Sequence, residues 1–330
     1  MGGGRGVGVA LLTAMLVVVT AAGCSGQSPE RPSAAPTAVP TAVPTAAPPP
    51  DGCAGGPRLA EGRHTIEFGG LERVFLLALP EGDGPHPVLL NLHGLGSNAR
   101  EQAAYSRLPR VGAERGYVVA TPQVAKGRLA WTLPNGFGPD DTGFLGALLD
   151  RLEQELCVDR RRQFAAGLSY GGGMAAALAC SMRGRLAGVA AVAGLSLVRP
   201  CPEPPPVTLV SFHGTADRTV PYGGGHPLRD ATGDLRKLAE MVKLPPVRRS
   251  AEGWAEALGC PEPRVSSPVR SVELRAWDGC AAGADVRLYT VGGGGHTWPG
   301  PIEVPRLGAT ARGLDASALI LDAFDAAEPR

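Results

Sequence analysis

The sequence carries almost no net charge: Lys and Arg total 32, Asp and Glu 31, a balance of +1 over 330 residues. A chain so balanced has no electrostatic reason to bind nucleic acid or an anionic membrane surface. Lysine is nearly missing, with 3 residues against 29 arginines in a chain rich in Ala, Gly and Pro. That imbalance reads as the codon bias of a GC-rich genome, not as a binding signal. No cysteine pair has CxxC spacing and no Cys/His cluster has zinc-like spacing, so neither a metal nor another cofactor is expected. There is no internal repeat outside one short proline tract. Hydrophobic residues make up 44% of the chain, ample for a core, and this excludes wholesale disorder.

The first residues carry a location signal. Arg5 and the terminal amine precede an apolar run from Val7 to Val19, followed by Ala21-Ala22-Gly23-Cys24. A basic start, a short apolar stretch and small residues fit a bacterial export signal. The uncharged run from Gly6 to Gly23 is barely long enough to span a bilayer, so a membrane anchor is the weaker reading. A Cys after small residues resembles the lipobox of bacterial lipoproteins, with Cys24 as the lipidated first residue; an ordinary cleaved signal is the alternative. Residues 1–23 are then a signal peptide. Residues 24–50, with PTAVPTAVPTAAPPP, form an extended tether with too little apolar area to pack. Residues 51–330 form a single domain. The expected location is extracytoplasmic, lipid-anchored or secreted, with the membrane met through the anchor only.

The order of elements points to one fold class. RHTIEFGGLERVFLLAL (63–79) reads as two strands about a Gly69-Gly70 turn. Apolar strands are expected at Pro87–Leu92, Tyr117–Thr121, Gln163–Ala166, Leu186–Ala193 and Val207–Phe212. Further strands are expected near Val269–Trp277 and at Asp285–Val291. Helices are expected at Asp140–Leu156, with Phe144, Leu145, Leu148, Leu149, Leu152 and Leu156 on one face, at Gly172–Ser181 and at Leu314–Ala327. Residues 223–268 read as irregular, with a short helix at Ala251–Leu258. Strands alternating with helices argue for a mostly parallel sheet covered on both faces.

Within this frame Gly167-Leu168-Ser169-Tyr170-Gly171 is a GxSxG motif. In a chain with 47 glycines the motif alone is weak, but a strand enters it and a helix leaves it. That is the context of a nucleophile elbow, which lifts a Ser hydroxyl above the sheet edge. A Ser hydroxyl needs a base, and the base an orienting carboxylate. In the chain order Ser, acid, His, the acid is Asp217 in HGTADRTVPY, with Glu203 as runner-up. The base is His296 in GGGGH, with His226 as runner-up. Oxyanion donors are expected from the backbone N–H of Tyr170 and of Leu95, the latter in the HGLGS loop after the third strand. His93, Trp131 and Trp298 are candidate substrate contacts, the aromatic faces suiting a sugar or cinnamoyl ring. Bracing of the loops is the competing role for all three.

Together, LNLHGLGSNA, DDTGFLGALLDRL, VDRRRQFAAGLSYGGGMAAALAC, SFHGTADRTVPYGGG and GGGGHTWPG resemble the poly(3-hydroxybutyrate) depolymerase and feruloyl esterase group of carbohydrate esterases. The resemblance covers about Gly62 to Pro301. It implies an α/β-hydrolase that cleaves hydroxyalkanoate or hydroxycinnamoyl esters without a metal, with Ser169 as nucleophile, Asp217 as acid and His296 as base. Most members have Asn where this chain has Tyr170, which implies a narrower acyl pocket. There is no room for a polymer-binding module, so a small-molecule ester is as much expected as a polymer, and the chain is expected to be a monomer. A serine peptidase of the same fold and a non-catalytic binding lipoprotein are the rival readings.

With Cys24 set aside, Cys53, Cys157, Cys180, Cys201, Cys260 and Cys280 allow three disulfides in an oxidising compartment. Helix and following strand are neighbours in this fold, which suggests Cys180–Cys201. Cys260 and Cys280 bracket the strand near Val269–Trp277, leaving Cys53 for Cys157.

Overall fold

The computed structural model describes Cys53 and residues 58–330; Cys24, the signal peptide and the tether lie outside them. The alternating pattern after Gly62 forms an antiparallel hairpin, β1 (Gly62–Phe68) and β2 (Leu71–Ala78). Gly69 and Gly70 turn it with φ of 59° and 73°, the positive pair that a tight two-residue hairpin requires.

The near-continuous apolar runs then build the interior of the sheet: β3 (His86–Leu92), β4 (Val118–Pro122), β5 (Val158–Leu168), β6 (Gly188–Val192) and β7 (Thr208–Gly214). Three more follow, β8 (Arg264–Ser266), β9 (Val272–Trp277) and β10 (Asp285–Val291). The sheet order is β1-β2-β4-β3-β5-β6-β7-β10-β9-β8. The six strands from β4 to β10 in that order are parallel, and both edges are antiparallel.

Side-chain alternation along each strand feeds two cores. Leu90, Ala165, Val189 and Leu209 face one; Leu89, Phe164, Ala190 and Val210 face the other. The described residues form seven helices: α1 (Ala99–Ser106), α2 (Leu108–Glu114), α3 (Asp141–Glu155), α4 (Tyr170–Ser181), α5 (Gly233–Glu240), α6 (Val247–Ala257) and α7 (Ala316–Asp325). α3 buries Phe144, Leu145, Leu148, Leu149 and Leu152 with α4 and α6 on the first core, while α2 and α7 pack on the second. Each such side chain contributes about 1.5–3 kcal/mol on burial. Asp140 caps α3 by accepting the Gly143 N–H at 2.8 Å. No helix of the described residues is long and apolar enough to cross a membrane.

Three disulfides join Cys53–Cys157, Cys180–Cys201 and Cys260–Cys280, the pairs suggested by the order of elements. The fold is the expected one, with differences in detail. β5 starts at Val158, five residues before the strand read from sequence, and α1 and α2 had no counterpart there. The segment read as irregular holds α5, a longer α6 and the edge strand β8.

Candidate active site

The carboxyl ends of β3, β5, β7 and β10 meet at one edge of the sheet, where the strand order reverses and ligands bind in folds of this type. Ser169 stands between β5 and α4 with φ 56° and ψ −121°, a conformation costly for any residue with a Cβ and typical of functional turns. Its N–H donates to Val192 O at 2.7 Å and its carbonyl accepts from Gly173 N at 2.9 Å. Gly171 is required here because a Cβ on it would run into the backbone of Leu92 and His93. The turn is thus wedged against the end of β3.

Beyond β3, the loop His93-Gly94-Leu95-Gly96-Ser97 closes on itself through Ser97 N to Gly94 O, 3.2 Å, and is tied outward by Gly96 N to Leu129 O, 2.7 Å. A Cβ on Gly94 would stand 3.3 Å from Ser169 Cβ, so this loop lies directly over the serine. Neither the Leu95 N–H nor the Tyr170 N–H is taken by a hydrogen bond among the described residues. Both residues line the cavity into which Ser169 opens.

His93 corrects the expectation that it meets substrate. It is wholly buried; Nδ1–H donates to Gly94 O at 2.8 Å, and Nε2 accepts from Val124 N at 3.3 Å. Burial pushes its pKa down, and the bond to Gly94 opposes this only in part. Trp131 is likewise enclosed, at 2% exposure. Its Nε1–H donates to His93 O at 2.9 Å and its ring lies 5.1 Å from the imidazole. Both residues brace the loop and neither lines the cavity. Trp298 takes the bracing role rather than the substrate contact. At 2% exposure it donates N–H to Tyr105 Oη and Nε1–H to Ser317 Oγ, each at 3.0 Å, and so supports the His296 loop. In all three the polar atoms are consumed by the scaffold, leaving nothing to offer a ligand.

The loops after β7 and β10 are sewn together by Thr215 N to Val291 O and Ala216 N to Gly294 O, both 2.9 Å. This brings Asp217 to His296 across 79 residues, with Nδ1 to Oδ2 at 2.7 Å. A carboxylate accepts, so Nδ1 carries the proton and Nε2 is free to take one. Asp217 is 4% exposed. Burial opposes its ionisation, but hydrogen bonds from His213 and His296 and their proximity prevail, holding its carboxyl well below the usual carboxylate range. Oδ1 also accepts from Thr219 N and Val220 N, each at 2.8 Å. The runner-up residues lie elsewhere: Glu203 is exposed, and His226 is exposed with Nδ1 bonded to Val242 O.

Ser169 and His296 share the wall of a cavity of about 620 Å³. No hydrogen bond joins them, and such a bond commonly tightens only once substrate is bound. The rest of the wall is mainly apolar, including Leu95, Tyr105, Leu168, Tyr170, Leu197, Val220, Val242, Ile302 and Leu307. Glu101 and Arg306 are the only Asp, Glu, Lys or Arg among the described residues that line it. Among the described residues no group of three or more His, Cys, Asp and Glu could hold a metal ion.

Sequence reasoning missed two features. One is His213, which reaches Asp217 from β7; its spacing in HGTAD was the available signal. The other is a buried ion pair, Arg73 to Asp141 at 2.6 Å. Asp141 also accepts Thr132 N at 2.7 Å, anchoring the segment that carries Trp131.

A parallel sheet with a strained serine turn, a carboxylate-bound histidine and a shared cavity at its carboxyl edge defines an α/β-hydrolase. Among solved structures, an acetyl xylan esterase from Aspergillus awamori is similar in fold, with a TM-score of 0.52 and 14% identity over 72% of this chain and 94% of that one. No family model matches the chain. NocK of Nocardia uniformis subsp. tsuyamanensis is 33% identical over 265 residues, 74% of this chain and 75% of that one. Feruloyl esterase D of Neurospora crassa is 28% identical over 75% of this chain and 82% of its own. Feruloyl esterase B of Piromyces equi is 29% identical over 65% of this chain, which spans 40% of that protein's length. The chain therefore belongs to the feruloyl-esterase type of α/β-hydrolase, and it is a carboxylic ester hydrolase.

Proposed function

We propose that the chain cleaves carboxylic esters through an acyl-enzyme on Ser169. The observation that carries this reading is the His296–Asp217 bond, at 2.7 Å, which holds a histidine lining the cavity that the strained serine enters. Ser169 Oγ attacks the ester carbonyl carbon while His296 Nε2 takes its proton. Asp217 holds the imidazole by Nδ1–H and stabilises the imidazolium. The oxyanion lies between the N–H groups of Leu95 and Tyr170, the latter at the positive end of α4. His296 then protonates the leaving alcohol, and water repeats the sequence to release the acid.

The substrate is a small-molecule or oligomeric ester with a bulky apolar acyl group. An apolar cavity of about 620 Å³ is far larger than an acetyl group needs, and the feruloyl esterases among the relatives support an aromatic acid. The folded part, 51–330, follows a 24–50 tether from a lipid on Cys24 after removal of residues 1–23, outside the cytoplasm. Three disulfides fit that compartment.

Hydrolysis of p-nitrophenyl acetate and methyl ferulate by Ser169→Ala and His296→Ala tests the chemistry. Each substitution is expected to lower kcat by roughly 10⁴–10⁶, and a fluorophosphonate probe is expected to phosphonylate Ser169 with loss of fluoride, so that its peptide gains the probe mass less that of HF. Wild-type turnover by Ser169→Ala protein would overturn the reading. Cys24→Ser is expected to move the protein from the membrane fraction to the soluble one.

A further inference from the structure

The Asp217 carboxylate is met by four N–H groups, and the reaction uses one. Besides the two amides on Oδ1 and His296 on Oδ2, Oδ2 lies 3.2 Å from Nε2 of His213. His213 is the penultimate residue of β7 and is 1% exposed. The same Nε2 stands 2.7 Å from Val220 O. A carbonyl only accepts, so the proton sits on Nε2 and is shared between that carbonyl and the carboxylate. The other nitrogen, Nδ1, is buried with no partner. An unpartnered buried nitrogen is a cost that an apolar residue of this size would avoid, so stability alone does not explain a histidine here.

We infer that His213 is a positioning residue for the reaction: its Nε2–H fixes the Asp217 carboxylate with Oδ2 turned to His296 and draws off part of its negative charge. This rests on the assignment of Asp217 and His296 as acid and base. Without that donor, Oδ2 directs more charge at His296, holds the imidazolium more tightly, and loses a contact that resists rotation of the carboxylate. The groups facing the pair are few. Tyr222 meets the His213 ring edge-on at 6.0 Å and spends its hydroxyl on Thr290 of β10. Among the described residues Asp217 has no ion-pair partner but the two histidines.

Three substitutions separate the donor from the bulk. His213→Gln carries an amide nitrogen to about the position of Nε2, His213→Asn carries one to about that of Nδ1, and His213→Leu carries none. Each is made alone and on an Asp217→Asn background, with kcat and KM for p-nitrophenyl acetate followed from about pH 5 to 9. On the native background the Asn and Leu variants are expected to lose roughly 10–100-fold in kcat with KM within about twofold, and their acid limb to move to higher pH. The Gln variant is expected to stay within about threefold of wild type and to keep its acid limb. On the Asp217→Asn background all three are expected to change kcat by less than about twofold, because His213 acts through that carboxylate. If the Leu variant does not fold, the contrast between Gln and Asn carries the test. Wild-type kcat and pH profile in the Asn variant, or an equal loss on both backgrounds, would overturn the inference. Wild-type kcat in Asp217→Asn itself would instead remove the acid assignment beneath it.

Discussion

The chemistry proposed for this esterase is concentrated in a carboxylate that is buried yet ionised. Asp217 is disfavoured by burial and rescued by hydrogen bonds from two histidines, which hold its carboxyl below the usual range. Across assay conditions it therefore keeps its charge, and the acid limb of kcat/KM records one proton, that of the imidazole base. A log–log slope of about one is expected; a slope of two would reveal a second titrating group. The same shift acts on stability with a definite sign. A carboxyl whose pKa is lower in the folded chain contributes fully above the unfolded value of about 3.9, and the contribution is lost as pH falls toward the folded value. The gap in urea midpoint between wild type and Asp217→Asn is thus expected to narrow below about pH 4. The place of Ser169, Asp217 and His296 at strand ends was legible because each follows an apolar strand and the three come in one chain order. His213 was not, since its tie to Asp217 exists only once the chain folds back to bring the Val220 carbonyl beneath it.

At the scale of elements, the oxyanion loop owes its shape to groups well away from it. Trp131 Nε1–H holds His93 O, and the Trp131 segment is anchored through Thr132 N to Asp141, which is paired with buried Arg73. Arg73 also lies 3.7 Å over the Phe144 ring. Trp131→Phe keeps most of the packing but strands the His93 carbonyl, a cost of about 1–3 kcal/mol in stability. A larger loss in kcat than in KM is expected, measured with p-nitrophenyl acetate. Asp141→Ala leaves a buried guanidinium unpaired and is expected to destabilise by about 3–5 kcal/mol in urea titration. α3 was legible because five leucine and phenylalanine residues repeat at helical spacing behind Asp140. α1 and α2 were not. Their segment, AREQAAYSRLPRVGAE, buries Gln102 and Ser106 among its inward residues, so no apolar stripe marks it. Asn98, which caps α1 by accepting Glu101 N at 3.0 Å, was the one local signal. β5 was cut short for a related reason: its first half, VDRRR, is polar after Val158, and only that valine is buried.

For the whole molecule, a mostly parallel sheet covered on both faces followed from apolar strands alternating with helices, whereas the strand order and the cavity did not. Its walls come from residues near 95, 105, 170, 228, 242 and 302–307, brought together by segments with no regular pattern. The disulfides act at this same scale. Cys260–Cys280 closes a separation of 20 residues and Cys180–Cys201 one of 21, but Cys53–Cys157 closes 104, joining the start of the described domain to the turn between α3 and β5. A cross-link restricts the unfolded chain more as the loop grows, from about 3 kcal/mol near 15 residues to about 4.7 near 100. Cys53→Ser with Cys157→Ser is therefore expected to cost about 1–2 kcal/mol more than Cys260→Ser with Cys280→Ser, compared by urea denaturation of the two double variants. The long link has a backbone companion in Arg58 N to Glu155 O, 2.9 Å, which ties Arg58 to the end of α3. An equal or smaller loss for the Cys53–Cys157 pair would mean that this bridge pins only the chain end, and that the short bridge beside α6 does more to hold the fold.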